Sequence, residues 1–375
     1  MNIAAIMHLD NSIAHHERTR VNPENYFKRL LQRGLYFYRL MRLNKNIKIF
    51  FNYFLGPLLF IWLSASIYNQ VRHQSDLATS WLKIKQSIDS PKIWYLVLVI
   101  VLMFFNWSIE AIKWKISIQN IQPVHFLKSF RAVLSGVSFS VNTPNRMGEY
   151  LGRVLYMDEG NRLRAVSLAI ASSMSQLIIT LFFGMMGLFW IRTKIETGEM
   201  LKGIESSLWL QVLQYGVIIV LAILTLLYFR LSLVARLVEK LRNGQKYVWL
   251  VSSLKGIHAT LLLKLLSLST IRYVVFVVQY FLLFRLFEVN IEWWECLWAV
   301  SVIFLVLAII PTFAIAELGI RGKVSLKLLE LFSTNSLGIT VATASIWLIN
   351  LVVPAVAGSL LIVSVKIFKN KNERT

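Results

Sequence analysis

Asn142-Thr-Pro-Asn-Arg-Met-Gly-Glu-Tyr-Leu-Gly-Arg153 is a polar, helix-breaking stretch set inside a chain that is otherwise mostly apolar. Pro144 lacks a backbone donor and ends any helix running into it, and Asn142 belongs to the turn before it. Gly148 and Gly152 leave a Cβ-free strip four residues apart, suited to close helix packing. Arg146, Glu149 and Arg153 bring three charges to the same place, and Glu149 and Arg153 share one face of a restarted helix. Charges beside broken backbone in an apolar chain mark a site.

Working outward, the 375 residues are 56% hydrophobic and 16% charged, with a mean hydropathy of +0.59. Several apolar runs reach the roughly 20 residues that span a bilayer. The fold class expected is an all-α polytopic membrane protein, with six full spans at about 49–68, 93–109, 165–190, 211–229, 262–287 and 338–363. The net charge of +21 then reports membrane topology and anionic head groups, and nucleic acid is not an expected partner. Cys296 is the only cysteine, so an intramolecular disulfide and a cysteine metal cage are excluded. His8, His15 and His16 have no matching ligands after them, and no metal is expected.

Residues 1–48 form a basic segment ahead of the membrane domain. From Pro23 to Arg42, aromatic and Leu residues alternate with Arg and Lys, which suits either a basic amphipathic helix at the membrane face or a solvated tail. The membrane domain runs over 49–365 and a basic tail over 366–375. The 230–258 loop carries six Arg or Lys against Glu239, and it and the tail belong on the cytoplasmic side. The acidic 288–295 link, with Glu288, Glu292 and Glu295, belongs outside. Both termini are thus expected in the cytoplasm, with the protein in the inner (plasma) membrane.

Two apolar segments remain, 126–141 and 297–313, and counting either as one crossing puts a basic loop on the wrong side. Each reads as a re-entrant hairpin, entering and leaving on one face, or as a span followed by an amphipathic return such as 316–332. The two resemble each other. Pro311, Glu317 and Arg321 follow Pro144, Glu149 and Arg153 at offsets of 167, 168 and 168 residues. Opposed orientation of the two units makes this an inverted repeat, the architecture in which half-helices meet near the midplane and face an anionic substrate.

At these residues the chain resembles the membrane region of the lysylphosphatidylglycerol synthase/flippase family, over about residues 49–365. Asn142, Pro144, Arg146, Gly148 and Glu149 match its Pro-x-Arg-x-Gly-Glu signature. Pro311, Gly319 and Arg321 match its second, glycine-rich signature, with Gly322 standing where a Glu is usual. The resemblance implies movement of anionic or polyprenyl-linked lipids. In full-length synthases an aminoacyl-transfer domain follows this region; this chain ends soon after its last span, so aminoacyl-lipid synthesis is not expected.

No nucleophile elbow, phosphate loop or zinc helix is present, and neither catalytic residues nor a cofactor are expected. The substrate-binding set is Arg146, Glu149, Arg153, Glu317 and Arg321: the arginines hold a lipid phosphate and the glutamates hold the arginines when the site is empty. Against this stand a structural clip for Glu317–Arg321, a lipid-linked glycosyl or phosphoryl transferase using the same side chains, and a non-catalytic subunit of an envelope-lipid enzyme docking through the N-terminal segment. Ser172, Ser173, Ser175, Gln176 and Asn350 either line a path or hydrogen-bond between helices. Arg272 either snorkels or meets a head group, and Trp81, Trp94, Trp209, Trp293, Trp294 and Trp298 read as interface anchors.

Overall fold

The computed structural model describes residues 82, 85–87, 89–141, 143, 146–196, 207–231, 257–310 and 314–363. The expected span at 49–68, the N-terminal amphipathic segment, the body of the basic loop and the tail lie outside the described residues, as do Asn142, Pro144, Pro311, Trp81 and the side chain of Trp209. The chain divides into two units, Met1–Leu55 and Gly56–Thr375, and everything described belongs to the second.

Among the described residues the regular elements are all helical: α1 Ile93–Ile118, α2 Phe126–Val141, α3 Gly148–Val154, α4 Arg162–Glu196, α5 Ser207–Phe229, α6 Ala259–Leu286, α7 Trp293–Ile309, α8 Ala314–Leu329, α9 Ser336–Trp347 and α10 Val353–Val363. Helices α1, α4, α5, α6 and the run Ser336–Ile362 are long and apolar enough to cross a membrane, and this is a multi-pass membrane protein. Helix α5 packs mainly on α4 and leaves Val212, Ile219, Val220, Ile223 and Leu226 exposed, a surface suited to hydrocarbon.

The remaining helices are short. α2 has 16 residues, about 24 Å, less than the ~30 Å hydrocarbon core, and the seven-residue α3 packs back along it. α7 and α8, of 17 and 16 residues, form the second pair. Glu292 and Glu295 build a capping box at the start of α7, so two charges of the acidic link also fix where that helix begins. Asn335 caps α9 by accepting the Gly338 N–H at 2.9 Å and donates to the carbonyls of Phe287 and Glu288, tying α9 to the end of α6.

Two units of matching element order, α1–α4 and α6–α10, exchange partners. Arg272 Nε donates to Asn106 Oδ1 at 2.8 Å and Gln279 Nε2 to the Val99 carbonyl at 2.9 Å. Numbers rise along α6 as they fall along α1, so the first spans run antiparallel. The first helix of each short pair then lies on the last span of the other unit, α2 on α10 and α7 on α4. Both crossings use glycine: a Cβ on Gly358 would sit 1.9 Å from the Leu134 carbonyl oxygen, and one on Gly187 2.8 Å from that of Trp298. Such reciprocal packing is what two inverted units about an in-plane two-fold axis produce.

Within the last span, Leu348–Val352 forms a π turn. Pro354 has no N–H and its ring crowds the carbonyl four residues earlier, which is that of Asn350. The wider turn absorbs the fault, and Asn350 within it is buried.

Candidate functional site

The first helix break is closed by Thr143, whose Oγ1 accepts the Gly148 N–H at 2.7 Å. Arg146, at the tip, has φ 56°, a left-handed conformation that costs an L-residue about 1–2 kcal/mol. Its side chain is 46% exposed, and Nη2 donates to both oxygens of Glu317, at 2.9 and 3.0 Å. Glu317 also receives Arg321 Nη2 at 2.5 Å from one turn further along α8, while Arg321 Nη1 donates to the Tyr280 hydroxyl at 2.9 Å. One carboxylate therefore joins the tips of the two short pairs.

The other half is deeper. Glu149 and Arg153 are ion-paired within α3, and Arg153 Nη2 also donates to Glu110 Oε1 at 2.8 Å. Glu110, on α1, pairs with Arg272 of α6 through Oε2 and stands 3.4 Å from Lys113 Nζ. Arg153 and Lys113 are each only 1% exposed. Arg153 lies over the Trp114 ring and Arg272 over the Trp107 ring, both at 5.6 Å, which adds a cation–π attraction to the ion pairs. Small residues let α2 and α3 come this close: a Cβ on Gly152 would meet the Gly136 nitrogen at 2.4 Å.

Between these halves is a cavity of about 410 Å³. Its polar wall is made by Lys113, Arg146, Arg272 and Arg321 with Glu110, Glu149 and Glu317; its apolar wall includes Trp107, Phe276, Phe304, Leu307 and Trp347. Leu177 and Ala308 at its edge are exposed. Counting Arg153 behind the wall, five basic groups face three carboxylates, and the arrangement suits an anion joined to an apolar body.

Of the expected binding residues, Arg146, Glu149, Glu317 and Arg321 line this one cavity, and Arg153 is buried behind it, holding Glu149 and Glu110. Gly148 and Gly152 are packing positions and Gly319 is buried within α8. Ser173, Gln176 and Asn350 line the cavity, whereas Ser175 bonds across to Ser269 at 2.8 Å. Arg272 does not snorkel: it is held by Glu110 and Asn106 and reaches the cavity. The span expected to stop at 109 continues to Ile118, because Glu110 is ion-paired inside the protein with Arg153 and Arg272 and Lys113 is buried beside it, so neither ends the helix. Asn106, Glu110 and Lys113 were missed; their i, i+4, i+7 spacing on one helical face was the available signal. Among the described residues no cluster of His, Cys, Asp or Glu is arranged to hold a metal.

A family model described as the lysylphosphatidylglycerol synthase TM region matches residues 53–358. No curated protein and no solved structure gives a significant match to the chain.

Proposed function

The chain belongs to the lysylphosphatidylglycerol synthase transmembrane-region family, and from that premise we propose that it carries an anionic phospholipid or a polyprenyl-phosphate-linked lipid across the membrane through the Arg/Glu cavity. The observation that carries this reading is the surplus of basic groups around one cavity that also has an apolar wall and apolar edge residues. A lipid phosphate entering there exchanges water for guanidinium donors, and Arg146, half exposed and bound to a single carboxylate, is the donor best placed to change partners. Glu317 holds Arg146 and Arg321 while the cavity is empty, so release of the head group restores an existing ion pair.

The reading places the protein in the inner (plasma) membrane with both termini cytoplasmic, on the strength of the basic 230–258 loop and tail. It gives the protein no catalytic step and no cofactor: the same groups bind, orient and release.

Reconstitution into liposomes with acyl-labelled fluorescent phosphatidylglycerol, read by dithionite quenching, tests it. Arg146→Ala is expected to slow translocation at least about tenfold, the equivalent of ~1.4 kcal/mol, with little loss of thermal stability because the side chain is half exposed. Translocation unchanged by Arg146→Ala, or formation of a product from a lipid-linked sugar, goes against it; co-purification with one envelope enzyme and no translocation favours an accessory subunit.

A further inference from the structure

The inner half of the site holds one basic group that differs in kind from the rest. Arg146, Arg153, Arg272 and Arg321 keep their protons at any accessible pH, whereas a lysine exchanges its proton readily when buried. Lys113 is that lysine, and its contacts are poor. Both oxygens of Glu110 are already engaged, Oε1 by Arg153 and Oε2 by Arg272, and Lys113 reaches Oε2 only as a third partner at 3.4 Å. Its hydrogen bond is to the Ser172 carbonyl, also at 3.4 Å.

The surroundings complete the balance. From its own helix Lys113 faces Glu110; α3 contributes Arg153 and Glu149, α6 contributes Arg272, and α4 contributes the Ser172 carbonyl. Across the cavity stand Arg146, Glu317 and Arg321, while Lys128 and Arg131 of α2 are exposed. Three cations thus share Glu110 and Glu149, leaving one positive charge in excess beside the cavity, and Lys113 alone can shed it. An anion drawn into the cavity offsets that excess.

We propose that Lys113 is a proton-binding site coupled to the cavity: it takes up one proton as an anionic head group enters and returns it when the head group leaves. The step transfers a proton from water to the amine and no other bond changes. By reciprocity, whatever the anion adds to the affinity for the proton, the proton adds to the affinity for the anion. On the lipid-carrier reading, on which this rests, a proton gradient then biases the direction of transport.

The test is binding of fluorescent phosphatidylglycerol to the full-length protein in phosphatidylcholine nanodiscs between pH 6 and pH 10, for the wild type, Lys113→Arg and Lys113→Met. Wild-type affinity is expected to fall at least tenfold as pH rises, with proton uptake on binding seen by a pH dye. Lys113→Arg is expected to hold the acid-side affinity across the range, and Lys113→Met the weak affinity throughout. Wild-type binding that is flat with pH, or a pH dependence that survives in both variants, overturns the coupling and leaves the lipid site standing. Absence of binding at every pH in the wild type, for phosphatidylglycerol and for a fluorescent polyprenyl phosphate alike, overturns the lipid reading and the coupling with it. Thermal melting of the two variants separates a lost fold from a lost proton: a fault seen only in Lys113→Met and paralleled by its melting overturns the assignment if Lys113→Arg, folded, still follows the wild-type pH curve.

Discussion

Glu110→Gln is expected to leave little folded protein in the membrane fraction. The carboxylate pairs with Arg153 and Arg272 and stands beside Lys113, on three different helices or turns of the core, and glutamine keeps its shape while removing its charge. Deleting one partner of a buried ion pair leaves an uncompensated charge and costs about 3–5 kcal/mol, against a typical total stability of 5–15. Here one substitution takes the only paired carboxylate from Arg272 and Lys113 and leaves Arg153 with Glu149 alone. Fluorescence-detected size-exclusion after heating is expected to show a midpoint lowered by many degrees or no monodisperse peak. A variant in which Glu110→Leu is combined with Arg272→Leu and Lys113→Leu is expected to recover part of that loss, since apolar replacement of a whole buried charge set is often neutral or stabilising. Wild-type melting of Glu110→Gln is the contrary result, and it means that the network is hydrated.

Gly152→Leu is expected to be nearly as damaging, for a steric reason. At this crossing α3 lies backbone to backbone on α2, and even a Cβ meets Gly136 N at 2.4 Å and Gly136 Cα at 2.5 Å, atoms that no rotamer change can move. The short pair must separate, which carries Glu149 and Arg153 away from Glu110. Overpacking commonly costs 1–3 kcal/mol where side chains can adjust; where they cannot, a loss above about 3 kcal/mol is expected. Gly216→Ala is the control: nothing lies within 4 Å of a Cβ there, and the change is expected to be neutral or to stabilise by up to about 1 kcal/mol. Equal melting midpoints for the two variants contradict the close crossing.

These two residues also show what the sequence conveyed. Gly152 was legible because proline, glycine and charge interrupt an apolar run, and such punctuation is local. The recurrence of Pro, Glu and Arg near 311–321 carried the same message, and its spacing put Glu317 at the position that Glu149 holds in the first break. Glu110 was not legible in that way. It follows a run of apolar residues and reads as the end of a span, because whether a charge ends a helix or lies inside it depends on a partner about 160 residues away on α6. Arg272 was noticed for the converse reason, as a charge within a span, but its partner was hidden by the same distance. The π turn at Leu348–Val352 follows from Pro354, yet its consequence, Asn350 in the cavity wall, depends on how far the helix rewinds before it meets α1.

The account depends on a lipid phosphate entering between the two helix breaks, and photo-crosslinking tests that most directly. With benzoylphenylalanine at Leu177, on the cavity edge, ultraviolet light is expected to give a phospholipid adduct, detected by mass spectrometry, that disappears in Arg321→Met. The same probe at Val212, on the exposed face of α5, is expected to give an adduct that Arg321→Met leaves unchanged. Labelling at Leu177 that persists in Arg321→Met, or that involves only lipids without phosphate, would contradict the claim.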